Sequence, residues 1–263
     1  MNRTIICFLI GTIFCSCNEV AKSSATVEYF ANGNVKSKTS FSSGKKTVFQ
    51  YFKNHKDTVE IIYRYQDDSL KHMMHYHSNG NLRKIGKLYL DSLKIGKWKF
   101  YERDGNLKDI REYLLIDGKS YLNQRWIFNV DGDTIGGNYF ELKMKDTIAQ
   151  GQGNRFHFFL KEPLFSYKSE SYVLMPKEGQ KVEKDFSNQY SIEWDTINSI
   201  GTKYRFNEEL RVRNHDIILD AFAKEKGKMN LRGIIVEKHL EGVGDSIDFK
   251  TRNIYFNIPY VVK

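Results

Sequence analysis

The sequence predicts an all-β protein: a meandering antiparallel sheet of stacked β-hairpin repeats, followed by a carboxy-terminal β-sandwich. Three observations carry this. A phrase of the form aromatic-x-x-Asn/Asp-Gly recurs through residues 26–145. The segments beside it alternate apolar and polar residues with period two, the pattern of half-buried strands. The remainder breaks into short apolar stretches separated by turn-forming clusters, with no helix-period segment of any length.

The amino terminus stands apart from both regions. One cation, Arg3, precedes an apolar run from Ile5 to Phe14, after which small residues lead into Cys17. A membrane-spanning helix needs about 20 apolar residues, so residues 1–17 read as a secretory signal peptide instead. The ending Phe14-Cys15-Ser16-Cys17 resembles the lipobox of bacterial lipoproteins, which implies that the cysteine is acylated and becomes the new amino terminus. Cys17 fits better than Cys15, because Ser16 is small at the cleavage position and Phe14 is not. Cys7, Cys15 and Cys17 are the only cysteines, so the exported part cannot use disulfides. Each methylene of an acyl chain buried in the bilayer adds about 0.8 kcal/mol of attachment. The expected first partner is therefore the membrane, through acyl chains on Cys17. By the same resemblance, Asn18 after the cysteine implies the outer membrane of a Gram-negative bacterium, facing the periplasm or the surface. Residues 18–25 are short, polar and aperiodic, as a tether would be.

Forty-one Lys and Arg against 32 Asp and Glu give a net charge of +9. A basic surface could meet phosphate-rich headgroups or acidic glycans. The basic residues alternate with acids and form no block, which argues against nucleic acid as a partner.

The repeat is clearest at Tyr29-Phe-Ala-Asn-Gly-Asn-Val-Lys36, Tyr76-His-Ser-Asn-Gly-Asn-Leu-Arg83 and Tyr101-Glu-Arg-Asp-Gly-Asn-Leu-Lys108. A weaker copy follows at Phe128-Asn-Val-Asp-Gly-Asp-Thr-Ile135, and Tyr51-Phe-Lys-Asn-His55 fills the gap with His55 in the glycine slot. The aromatic positions 29, 51, 76, 101 and 128 are thus 22, 25, 25 and 27 apart. Asn-Gly and Asp-Gly are expected to supply the positive φ angles of tight hairpin turns. In Lys97-Trp-Lys-Phe-Tyr101, Trp98 and Phe100 share one strand face and Lys97 and Lys99 the other. Second turns are expected near Ser42–Lys45 and Asp91–Gly96. One repeat is then a hairpin that cannot bury its own apolar face, so its neighbours must.

Asn79-Gly-Asn-Leu-Arg-Lys84 followed by Gly96-Lys-Trp-Lys-Phe-Tyr101 resembles the MORN-variant (antitoxin-type) repeats of bacterial proteins. The resemblance spans about residues 26–145 and departs from the pattern at His55 and at Thr134-Ile135. It implies a β-hairpin scaffold and a binding surface, but no reaction. The cytoplasmic partner that an antitoxin would need conflicts with an export signal.

In the second half, strands are expected at Arg155–Leu160, Ser171–Met175, Tyr190–Trp194, Glu209–Val212, Asp216–Ala221, Leu231–Glu237 and Asn253–Val262. Such spacing predicts a β-sandwich over residues 146–263. The last two segments resemble the final strands of immunoglobulin-like modules in bacterial envelope proteins.

Few residues suggest chemistry. His72, His75 and His77 are the candidate metal ligands, yet three or four ligands in defined geometry are needed. The repeat alignment places His77 in a variable slot also taken by Phe30, Phe52 and Glu102. Asp131-Gly-Asp133 lacks the later ligands of a calcium loop, and Gly151-Gln-Gly153 lacks the helix of a phosphate cradle. No cofactor motif or nucleophile-and-base pairing is present. Tyr76, Trp98 and Tyr101 are the candidate binding surface, with core packing as the simpler reading of the same pattern. The expectation is a non-enzymatic, lipid-anchored envelope protein that acts as a protein- or glycan-binding scaffold. The alternative is a carbohydrate-active or hydrolytic module with its site between the two halves.

Overall fold

The computed structural model describes residues 24–55, 57–165, 169–222, 225–243 and 246–263, and the side chains of residues 240–248 lie outside that description. Cys17 and the tether up to residue 23 also fall outside it.

Ten strands form one antiparallel sheet in chain order: β1 (Ala25–Tyr29), β2 (Val35–Ser42), β3 (Lys45–Tyr51), β4 (Val59–Tyr65), β5 (Leu70–Tyr76), β6 (Leu82–Tyr89), β7 (Leu93–Tyr101), β8 (Leu107–Ile116), β9 (Lys119–Phe128) and β10 (Thr134–Asn138). Each repeat is one hairpin, as its phrase predicts. The repeat tyrosines 29, 51, 76 and 101 all stand at a register shift between paired strands. Such β-bulges increase the local twist.

The Asn-Gly phrase forms a three-residue loop, not the two-residue turn in which both residues are left-handed. Gly33, Gly80, Gly105 and Gly132 take positive φ, and the Asn or Asp before each does not. Their N–H groups donate to Phe30, His77, Glu102 and Asn129 carbonyls at 2.9–3.2 Å, the geometry of a turn closed by a glycine bulge. Turns in which both residues are left-handed occur at the opposite end of the strands, at Ser43-Gly44 and Asp117-Gly118.

The asparagines of the phrase have a second use. Asn79 Oδ1 accepts from the Asn81 N–H at 3.2 Å, while Asn79 and Asn81 both donate through Nδ2 to the Arg103 carbonyl of the next copy, at 2.8 and 2.9 Å. Asn32 and Asn34 reach the Lys53 carbonyl in the same way, at 3.2 and 3.1 Å. Lys53 and Arg103 occupy equivalent positions, two residues after the repeat tyrosine. Asp104 keeps the internal bond to Asn106 N–H but has no donor to offer the fifth copy. In copy two the loop is longer, and Asp57 supplies the positive φ that His55 does not.

A single-layer sheet must cover its faces with its own side chains. Trp98 lies flat over Gly86, fully buried, and its Nε1–H donates to the Lys87 carbonyl at 3.1 Å. Met73, Leu88 and Tyr113 complete this cluster.

Two further sheets make the sandwich. One pairs β11 (Phe140–Lys143), β13 (Gly153–Leu160) and β16 (Asp216–Phe222). The other runs β12 (Thr147–Ile148), β18 (Ser246–Val262), β17 (Gly227–Val243), β14 (Glu170–Pro176) and β15 (Trp194–Asn198). With β13 to β18 lettered B, C, C′, E, F and G, the order matches that of an immunoglobulin-type sandwich without strand D. The core between the sheets holds Phe156, Phe158, Val173, Ile217, Ile235 and Ile254.

Several boundaries differ from the sequence expectation. The repeat sheet ends at Asn138, and β11 already belongs to the sandwich. Tyr190–Trp194 is mostly turn that leads into β15, with Tyr190 exposed. Glu209–Val212 coincides with a single helical turn, α2 (Glu208–Arg211), capped by Asn207 and preceded by α1 (Ile200–Lys203). The asparagine cap and the two acids in the first turn favour that helix over a strand.

Candidate functional site

The sheet and the sandwich meet at β8, β9 and β18. The loop between β14 and β15 inserts Val182 and Phe186 against Ile116, Leu114, Tyr121 and Tyr255. Phe186 holds φ at 56°, an unusual angle for an aromatic residue, which aims its ring into this contact. Polar bonds fix the junction. Tyr121 Oη donates to the Asn253 carbonyl at 2.6 Å, and Asn123 exchanges two bonds with the Tyr255 backbone at 2.8 and 2.9 Å. Arg252 Nη2 donates to the Asn123 and Asn138 carbonyls and to Asn138 Oδ1.

Beside this contact a cleft of about 760 Å³ opens, walled by Tyr89, Ile95 and Leu114 from the sheet and by Phe140, Phe186 and Ile258 from the sandwich. Glu112 is the carboxylate on its sheet side. Its Oε2 accepts from Asn123 Nδ2 and Gln124 Nε2, both at 2.8 Å, and Gln124 Oε1 accepts from the Phe140 N–H at 3.1 Å. Glu112 is thus committed to amide donors that tie β8 to β9 and to the sandwich. Glu183 and Asp185 come from the inserted loop on the other side. The burial of Tyr121 raises its phenol above the ordinary range, so it stays a neutral hydrogen-bond donor.

A second cluster has the residue types of a catalytic triad in a different arrangement. Ser169 Oγ donates to Glu237 Oε1 at 2.9 Å and lies 3.0 Å from His215 Nε2. With its proton given to the carboxylate, Ser169 can only accept from His215, so that nitrogen carries a proton and cannot act as a base toward the serine. Glu237 also accepts the N–H groups of Leu164 and Phe165 at 2.9 Å. All three residues are buried. Burial lowers the His215 pKa despite the nearby Glu237. This is a structural clasp over the chain segment that precedes β14.

The sequence-predicted residues are not brought together. Trp98 has no exposed surface, which removes it from the candidate binding surface and assigns it to the core. Tyr76 lies on the other face, with Oη 3.8 Å from Met74 Sδ, beside a shallow depression shared with Phe52, Arg83 and Arg103. Tyr101 is half-buried one repeat further on, and its carbonyl lies 3.3 Å from His77 Nε2. The three histidines diverge as well. His75 sits on the Trp98 face, 3.7 Å from Glu60, and its pKa is pushed down to about 4, mainly by burial and then by Lys84, Arg83 and His77. His72 points to the opposite face, by strand alternation. Among the described residues, no three His, Cys, Asp or Glu side chains are grouped so as to hold a metal ion.

Glu112, Asn123, Phe186 and Arg252 had no local sequence signal. Their partners lie far away in the chain, and only the alternation of β8 hinted that Glu112 and Leu114 share a face. No protein-family model matches the chain, and no curated protein matches it.

Proposed function

We propose that the chain is a non-enzymatic, lipid-anchored protein of the bacterial cell envelope. Acyl chains on Cys17 hold it at the outer membrane, and the repeat sheet and sandwich act as a binding scaffold for an envelope protein or glycan. The likeness of the hairpins to MORN-variant repeats and the lipobox-like ending of the leader support this reading. The observation that carries it is the commitment of three buried or half-buried acid groups, Glu112, Glu237 and Asp109, to structural partners. Glu112 is held by two amides, Glu237 by Ser169 and two backbone N–H groups, and Asp109 by Arg111 and Arg125. Apart from the cleft, what is left open is the broad surface of the repeat sheet.

Radiolabelled palmitate incorporation into wild type and Cys17→Ala, followed by membrane fractionation, tests the anchor. Equal labelling of both proteins would reject it. Photo-crosslinking of the membrane-bound protein, with probes placed on either sheet face, should give discrete adducts to an envelope component.

The cleft favours one second reading, a carbohydrate-active module with its site between the halves. Glycan turnover by the purified protein that is abolished by Glu112→Gln, with unchanged folding, would establish that reading over the first.

A further inference from the structure

We infer that the face of the repeat sheet carrying Met74 and Ile85 binds an acidic polysaccharide, a chain of carboxylated sugars held by Lys38, Arg64, Lys87 and Lys99. This deepens the scaffold reading above and rests on it for the class of partner.

The strand register defines this face. Lys38 lies opposite Phe49, then Phe49 opposite Ile62, Ile62 opposite Met74, Met74 opposite Ile85, Ile85 opposite Lys99, and Lys99 opposite Ile110. A parallel row on the same face sets Arg64 opposite His72 and His72 opposite Lys87. Lys38, Arg64, Lys87 and Lys99 are exposed, while Phe49, Ile62, Met74 and Ile85 between them are half-buried.

The two faces treat their cations differently, with two exceptions. Lys84 on the Trp98 face, opposite His75, has no ion pair or cation–π contact among the described residues, and Lys97 on the Met74 face lies over Trp126 and opposite Glu112. On the Trp98 face, Lys71 is paired with Asp91 at 2.6 Å, and Arg111 and Arg125 share Asp109. Lys46 lies over Tyr65, and Lys94 over Trp98 and Tyr113. On the Met74 face, Lys38, Arg64, Lys87 and Lys99 make no ion pair and no cation–π contact among the described residues. Across the strands these four face Val27, Phe49, Thr47, His72, Ile95, Ile85 and Ile110, none of them an acid, so their charges are left for an external anion.

Dimensions and chemistry narrow that anion to a polymer of sugars. Strands lie about 4.8 Å apart, so the row from β2 to β7 is on the order of 24 Å long, too long for a single small anion. An extended peptide would bind a sheet edge through its backbone, whereas this is a sheet face. Single-stranded nucleic acid would call for a succession of aromatic platforms, whereas the row itself has one ring, Phe49, beside the aliphatic Ile62, Met74 and Ile85.

The test uses the full chain on immobilised polygalacturonate, neutral dextran and poly-L-glutamate. Wild type is expected to bind polygalacturonate in a salt-sensitive manner and to leave dextran unbound. The variant Lys38→Gln/Arg64→Gln/Lys87→Gln/Lys99→Gln should bind about 16-fold to 600-fold more weakly, since each of the four exposed ion pairs is worth a factor of about two to five. A variant with equal charge loss on the sandwich, Lys143→Gln/Lys181→Gln/Lys226→Gln/Lys228→Gln, should stay within about twofold of wild type. Far-UV circular dichroism confirms that both variants are folded. Equal loss in the two variants would overturn the inference, as would poly-L-glutamate binding as tightly through the same row. Failure of wild type on polygalacturonate, with crosslinks to an envelope protein retained, would sink the polysaccharide and leave the scaffold reading standing.

Discussion

Gly86→Ala is the most severe small change the repeat sheet offers. A Cβ at this position would lie 2.2 Å from Trp98 Cδ2, 2.3 Å from Cε2 and 2.5 Å from Cγ. Carbon atoms in contact prefer about 3.5–4.0 Å, so the indole must lift by more than an ångström. It has nowhere to go, because Trp98 is already fully buried against Met73, Leu88 and Tyr113. The φ of Gly86 is not in the left-handed region, so alanine strains nothing in the backbone and even loses less entropy on folding, by about 0.4–1 kcal/mol. Overpacking of a filled core costs about 1–3 kcal/mol, and outright loss of a buried tryptophan about 3–5. The net expectation is a destabilisation of about 2 kcal/mol, measured by urea denaturation with near-ultraviolet circular dichroism. A double-mutant cycle isolates the cause. In a Trp98→Ala background the same Gly86→Ala change should cost nothing or stabilise slightly. An equal cost in both backgrounds would refute the steric account.

Three further outcomes are expected. Asn79→Asp combined with Asn81→Asp keeps the internal turn bond and removes both donors to the Arg103 carbonyl, which should cost about 1–2 kcal/mol in denaturant titrations; Asp104→Asn should not, since Asp104 sends no bond onward. Asn123→Ala removes a buried side chain that bonds Glu112 and the Tyr255 backbone, so a loss of about 2–3 kcal/mol and separate melting of the sheet and the sandwich are expected by calorimetry. His75, with its pKa pushed down to about 4 by burial in the fold and near 6.5 when unfolded, binds a proton more readily in the unfolded chain. Its neutral form therefore supports the fold fully above pH 6.5, and that support is lost as pH falls toward 4. Because the ring is only partly shielded, the loss is about 1–2 kcal/mol, and His75→Gln should flatten stability against pH in this window.

The hairpin array was legible because each copy repeats its turn chemistry at a near-constant period. The same regularity marked the repeat tyrosines, though not the bulges at which they stand, and paired Trp98 with Phe100 on one face. Parity also contained a warning about the candidate binding trio. Trp98 and Tyr101 are three residues apart, an odd step in a strand, so they could not share a face unless a bulge intervened. The asparagine bonds between copies were invisible, since the acceptor is a backbone carbonyl with no sequence identity. The second half was read less well where apolar residues lie in loops. Val182 and Phe186 sit between turn residues and look like loop decoration, yet they form the contact with the repeat sheet. The junction depends on Tyr121 with Asn253 and Asn123 with Tyr255, each 132 residues apart in the chain, and no local pattern encodes such a pairing.

A one-layer sheet has no second layer to hide its apolar residues, so long basic side chains are useful on both faces whatever they bind. Their aliphatic stems can cover neighbouring isoleucines while the charged ends stay in water. Abundant lysine alone therefore says nothing about a ligand. The difference between the faces does. Where Lys71, Arg111 and Arg125 cover Trp98 and its neighbours, Asp91 and Asp109 neutralise them. The cost of crowding like charges can evidently be relieved within this fold, using loop or strand aspartates. On the Met74 face Glu112 stands opposite Lys97 but is bonded to Asn123 and Gln124, and Arg64, His72 and Lys87, in adjacent strands, have no acid among their register partners. Covering the stripe explains the stems on that face. It does not explain the unneutralised charge, and recognition of an external polyanion does.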